Sequence, residues 1–171
     1  MKKTILILII VFITSLSGFA QIQNRILGCT LGVTSQQATI STLKSRGLNV
    51  VKYEGNDLYG SGDVTFYQIK DGVSFGGYNW SDAIIRFING KFASILFQTY
   101  GASDAQYNKL KSTIISKYKH YQKDFGNHPY FQDGKIEIIL INNSSNGWIS
   151  ISYGDQKLFE VESNSSSSSD F

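Results

Sequence analysis

The sequence predicts an α+β domain: one twisted antiparallel sheet with two helices on one face, in the order helix–meander–helix–meander. Three observations carry this. Phe87-Ile88-Asn89-Gly90-Lys91-Phe92 sets Asn-Gly between two apolar runs, the composition of a two-residue type I′ hairpin whose central residues both take positive φ. Two segments, opening at Thr34 and at Ser103, combine a capping pattern with apolar residues spaced three and four apart. A second set of alternating runs, Lys135–Ile141 and Trp148–Tyr153, follows the second of these segments.

Taken in order, Lys2-Lys3 precede the apolar run Ile5–Ile13, and Gly18-Phe19-Ala20 supplies the small residues of a signal peptidase site. The expectation is cleavage after Ala20. Residues 1–20 are then a signal peptide, 21–162 a single α+β domain, and 163–171 a disordered Ser-rich tail. The apolar run is short for a membrane span, and no later stretch reaches one, so no transmembrane segment is expected in the mature chain. The chain carries 16 Lys+Arg against 13 Asp+Glu. Removing Lys2 and Lys3 leaves 14 against 13, a net charge of +1, with no basic patch to argue for nucleic acid.

Arg25–Leu31 reads as a short strand. Thr34 is the expected cap of the first helix, with Gln37 completing a capping box and Val33 stapling onto Ala38. The helix runs to Arg46, and Gly47 supplies the left-handed residue after it. Leu48–Tyr53 is a strand, Glu54–Gly62 a loop, and Val64–Lys70 a strand closed by Asp71-Gly72. Asp71 to Thr99 reads as one continuous meander. Gly76-Gly77 permits a turn or bulge between Phe75 and Trp80, and strands Asp82–Ile88 and Lys91–Thr99 follow. Alternation places Ala83, Ile85 and Phe87 on one face and Ile84, Arg86 and Ile88 on the other. The second set is also mostly apolar, as expected of central strands with partial cover on both sides.

Ser103 and Gln106 form the capping box of the second helix. Its stripe is Tyr107, Leu110, Ile114, Ile115, Tyr118 and Tyr121. Lys117, Lys119 and His120 suit the negative end of the helix dipole. Strands Lys135–Ile141 and Trp148–Tyr153 are joined through Asn142–Gly147, and Lys157–Val161 reads as a short third strand. Two α-then-β halves fit a degenerate duplication, although they share little sequence.

Residues with chemistry are few. His120 and His128 are the two histidines, and Asp124 and Asp133 flank His128 without the spacings that metal ligands take. No metal or cofactor is expected. Asp57 and Asp63 lie in a Gly-rich loop, where aspartate serves turns. Gly60-Ser61-Gly62 lacks the lysine and the spacing of a phosphate loop. Cys29 is the single cysteine, which rules out an internal disulfide. It reads as a buried thiol, with an intermolecular disulfide as one alternative. Ile26-Leu27-Gly28-Cys29 also resembles a lipobox, which would make Cys29 an acylation site, but Gln23, Asn24 and Arg25 separate it from the apolar run. The candidate binding residues are Tyr78 and Trp80, beside the Gly-Gly turn, with Tyr53, Tyr59 and Tyr67 near them. Aromatics at a loop edge serve as a protein hot spot or a sugar-stacking platform. The competing reading makes Trp80 part of the core.

Leu31-Gly32-Val33-Thr34-Ser35, followed by Leu43 and Gly47, resembles the opening of small envelope proteins of the SmpA/OmlA and β-lactamase inhibitor protein-like group. Phe75-Gly76-Gly77-Tyr78-Asn79-Trp80, with Phe87 and Gly90-Lys91-Phe92, is similar to a pattern of the same broad group. The resemblance spans residues 30–125 and implies an architecture more than an activity. Its members bind proteins rather than catalyse. The disulfide-forming cysteines of the secreted inhibitors are absent here, so no functional residue is carried over.

The sequence therefore predicts an exported, periplasmic, non-catalytic module that binds an envelope protein partner. A carbohydrate- or small-ligand-binding protein is the alternative. A hydrolase whose site is assembled from distant residues is the third reading. Secretion, or lipid anchoring at Cys29, is the alternative location.

Overall fold

A computed structural model describes residues 21–54, 63–124, 126–143 and 146–167. Residues 1–20, where the sequence predicts a signal peptide, residues 168–171 of the serine-rich tail, most of the Gly-rich loop with Asp57 and Tyr59, and Gly60-Ser61-Gly62 lie outside the described residues. The chain forms an α+β fold around one large antiparallel sheet. In order, the elements are β1 (Arg25–Ile26), β2 (Cys29–Thr30), α1 (Gln36–Ser45), β3 (Asn49–Lys52), β4 (Val64–Lys70), β5 (Val73–Phe75), β6 (Tyr78–Trp80), β7 (Asp82–Ile88) and β8 (Lys91–Tyr100). There follow α2 (Asp104–Tyr118), a 3-10 turn (Lys119–Tyr121), β9 (Gln122–Lys123), β10 (Tyr130–Asp133), β11 (Ile136–Asn143), β12 (Trp148–Asp155) and α3 (Gln156–Ser167).

The eight-stranded sheet has the order β3-β4-β7-β8-β12-β11-β10-β9, with every pair antiparallel. β8 and β12, the long strands at its centre, pair from Trp148↔Tyr100 to Gly154↔Ser94. The Asn-Gly turn forms as its sequence requires, with φ of 50° at Asn89 and 66° at Gly90. A bulge at Ala93 then shifts the β7–β8 register, so that Arg86 faces Ser94 while Phe87 faces Phe92.

One face of the sheet carries Ala83, Ile85, Phe87, Ile95, Phe97, Ile138, Leu140, Ile149 and Ile151, all buried. Leu43 of α1 and Tyr107, Leu110, Ile114 and Tyr118 of α2 share that core. Each leucine, isoleucine or phenylalanine among them contributes roughly 1.5–3 kcal/mol by leaving water. The α2 capping box is present as expected, with the Ser103 side chain accepting from Gln106 N and the Gln106 side chain accepting from Ser103 N.

Several expectations need correction. The cap of α1 is Ser35, whose hydroxyl accepts from Ala38 N. Thr34 is turned back instead, its hydroxyl accepting from Thr30 N at 2.8 Å. Val33 is 61% exposed and staples nothing. The reason is tertiary: Thr34 O accepts from Phe92 N, and Gln36 N donates to Gly90 O, so the helix start is tied to the β7–β8 hairpin. The stretch from Asp71 to Thr99 is not one meander, because β5 and β6 pair only with each other as a separate two-stranded unit. Lys157–Val161 is not a strand. Gln156 N donates to Lys135 O, which ends β12, and α3 begins there and continues helical to Ser167, inside the serine-rich segment. β9 and β10 were not anticipated.

Candidate functional site

The β5–β6 hairpin exists because Gly76 and Gly77 both take positive φ, 64° and 79°. It folds onto the buried side of the sheet. Phe75 stacks on Phe97 with ring centroids 4.7 Å apart and meets Tyr153 edge-on at 5.4 Å. Trp80 packs 5.8 Å from Phe97, and its indole N–H donates to Phe75 O at 3.1 Å. At 4% exposed, Trp80 packs in the core, the alternative that the sequence held beside a binding platform. Tyr78 is half-buried, 6.1 Å from Trp80, with its hydroxyl 3.3 Å from Thr113 Oγ1 on α2. It latches the hairpin to the helix. Tyr67, grouped with these rings by the sequence, instead meets Phe87 edge-on at 5.7 Å.

Cavities of about 240 and 120 Å³ flank Tyr78. Both fall below the roughly 300–1,000 Å³ of ordinary ligand pockets. A wider depression of about 510 Å³ lies on the other side of Trp80, lined by Leu27, Arg46, Leu48, Asp71 and Ser74 among others. Cys29, His120 and His128 line none of these three. His120 and His128 are exposed, and Cys29 is 1% exposed within the core. Burial pushes the Cys29 thiol above its ordinary pKa, against the opposing effects of Thr39, Thr42, Arg46 and Arg25. Among the described residues no three His, Cys, Asp or Glu side chains converge as metal ligands. No described helix is long and apolar enough to cross a membrane.

The opposite face of the sheet has a different character. Strand alternation and register place Phe66, Ile84, Leu96, Ile139, Ile141 and Trp148 there, all half-buried, with Gln98, Ser94 and Ser152 between them. α3 covers one end. Phe159 lies over Gly154, where a Cβ would stand 2.8 Å from its ring, and the Arg86 guanidinium sits 5.1 Å from that ring and 5.7 Å from Phe66. Glu137 borders the same end and accepts from Tyr130 OH at 3.1 Å. Burial raises the Glu137 pKa, partly offset by that hydrogen bond. Burial, then the Glu137 charge, pushes Tyr130 up to about 12.

At the far end Asp82, 7% exposed, accepts from Tyr100 OH at 2.9 Å and from Gln68 Nε2 at 3.1 Å, both on Oδ2. Tyr100 itself is 57% exposed, and Trp148 lies directly across from it on β12. The sequence reading passed over Asp82 and Tyr100. The signal was there in part: Asp82 sits in phase with Ile84 and Arg86 on the second face of β7. What was missing was Tyr100, 18 residues on, which only the β7–β8 register brings beside it.

No family model, no curated protein and no solved structure matches the chain.

Proposed function

We propose that the chain is an exported, non-catalytic binding module of the cell envelope, and that it holds a protein partner on the face of the sheet opposite α1 and α2. The observation that carries this is the set of half-buried apolar side chains, Ile84, Leu96, Ile139, Ile141 and Trp148, on a face where Gln98, Ser94 and Ser152 lie between them. Apolar centres with polar surroundings are what protein interfaces use. The finer architecture belongs to the same reading: two helix-then-meander halves, with α1 and α2 on one face and the last strand of each half meeting at β8–β12. So do the resemblance to the SmpA/OmlA and β-lactamase inhibitor protein-like group and the periplasmic location, supported by the leader-like Lys2–Ala20. Tyr78 keeps a supporting role, holding the β5–β6 hairpin on α2.

The test is site-specific photo-crosslinking in the envelope, with the reactive residue at Leu96 on the proposed face or at Ser112 on the exposed side of α2. A discrete adduct from position 96 that is missing from 112, and is abolished by Ile141→Asp in a folded protein, supports the reading. Equal adducts from both positions, or none from 96, reject it. The carbohydrate reading retains one favourable observation, the exposed Tyr100 beside Asp82 and Gln98.

A further inference from the structure

Asp82, Gln98 and Ser150 form one cross-strand row over β7, β8 and β12, and Tyr100 and Trp148 form the next. Two polar atoms in the first row are buried without a hydrogen-bond partner, Asp82 Oδ1 and Ser150 Oγ. Unsatisfied buried polar groups are few in native proteins, and an acceptor on a carboxyl group is the costliest kind to leave open. Both donors that reach Asp82, Tyr100 OH and Gln68 Nε2, are neutral and both serve Oδ2. Among the described residues no lysine, arginine or histidine pairs with it. The other buried aspartate differs in its charge partner: Asp155, at the far end of β12 and on the opposite face, is met by Lys135 Nζ at 2.7 Å. Tyr100, exposed, is bonded to Asp82, and half-buried Trp148 stands across from Tyr100 on β12 in the next row.

A buried carboxylate oxygen that lacks a donor, close to aromatic side chains and with no cation paired to it among the described residues, is complementary to an ammonium or guanidinium group. The oxygen takes its N–H, and the rings take its charge. We infer that the Asp82–Tyr100–Trp148 corner is the anchor for a basic side chain, lysine or arginine, of the protein partner. This rests on the reading of the sheet face as a protein-binding surface and names the chemistry of one contact on it. In this inference Tyr100 is the gate: its hydroxyl donates to Asp82 Oδ2, its ring is 57% exposed, and an outward turn of that ring would open the carboxyl group to the incoming cation.

The experiment is an amide NMR titration of the mature chain from Gln21 with Nα-acetyl-lysine methylamide and Nα-acetyl-arginine methylamide. Norleucine methylamide and maltose are the comparison probes. The basic probes are expected to give saturable shifts at Gln68, Asp82, Gln98, Tyr100 and Trp148. Raising NaCl to about 0.5 M should weaken them, because the charged probe must be drawn to the site through bulk solvent. Asp82→Asn, which keeps the shape and removes the charge, should weaken binding about tenfold or more. Tyr100→Phe, which frees Oδ2, should tighten it. Equal shifts with norleucine, or no saturation by the basic probes at tens of millimolar, would overturn the inference. So would shifts with maltose alone, which would mark a saccharide site. If Asp82→Asn does not fold, the sign of the Tyr100→Phe effect decides, and a weakening refutes. Loss of this contact while the Leu96 adduct persists would leave the sheet-face reading standing; loss of both would not.

Discussion

Replacing Trp80 by alanine separates a core indole from a binding platform, and the structure sets the size of the effect. The ring is 4% exposed, packed on Phe97 and Tyr78, and its N–H is bonded to Phe75 O. Burying about 200 Å² of aromatic surface at roughly 25 cal/mol per Å² contributes about 5 kcal/mol, of which alanine keeps a small part. The orphaned Phe75 carbonyl adds about 1 kcal/mol to the loss if water does not reach it. Partial collapse of the hairpin into the hole offsets some of this, so the expected cost is about 4 kcal/mol, within the usual range for Trp→Ala in a core. With a urea m-value of about 2 kcal/mol/M, the midpoint should fall by about 2 M. Trp80→Phe keeps most of the packing and loses the N–H bond, so about 1–2 kcal/mol is expected. Urea titration followed by far-UV circular dichroism measures both. A Trp80→Ala cost under about 1 kcal/mol would mean that the hairpin does not rest on the sheet in solution, and the core assignment would fail. The same numbers mean that any partner-binding experiment using Trp80→Ala tests folding first, which is why Leu96 and Ile141 are the better probes.

Gly32→Ala should cost about 3 kcal/mol or more in thermal denaturation, because Gly32 has a φ of +72° and its Cβ would drive into the buried Asp155 carboxylate and Lys135. Gly47→Ala has the same backbone strain but open space, and should cost about 1 kcal/mol. Cys29 should react with a thiol reagent at the rate of global unfolding in native buffer and immediately in urea; fast native labelling would contradict its burial. Glu137 has a raised folded pKa, so its folded form holds its proton more tightly than the unfolded chain does. Its stabilising contribution is therefore present below the unfolded carboxylate pKa and lost as pH rises through the folded value. Glu137→Gln should then be more stable than the parent at pH 7, with the gain vanishing toward pH 4; a constant difference across that range would refute the linkage.

What the sequence alone determined here is local. Asn89-Gly90 had to be a tight hairpin because few residue pairs tolerate two positive φ values in succession. Ser103 and Gln106 satisfy each other's backbone within one turn, so the start of α2 is legible without any knowledge of its neighbours. Period-two patterning was enough to place Ala83, Ile85 and Phe87 on one face of β7 and to mark the other as half-covered. The tertiary structure decided where local signals were even or silent. Lys157–Val161, with Leu158, Phe159 and Val161 after Gly154-Asp155, is short enough to read as a strand, but Lys135 O captures Gln156 N and Gly154 leaves room for Phe159, so the chain turns back over the sheet as a helix. Thr34 and Ser35 are both competent caps, and the choice fell to Ser35 once Thr34 was bonded to β2 and β8. Tyr78 and Trp80 look alike beside a Gly-Gly turn, yet packing against Phe97 buries one and leaves the other as a latch. Asp82 and Tyr100, the pair that gives the open face its unpaired acceptor, meet through strand register, and no local pattern encodes which residue of one strand lies beside which residue of the next.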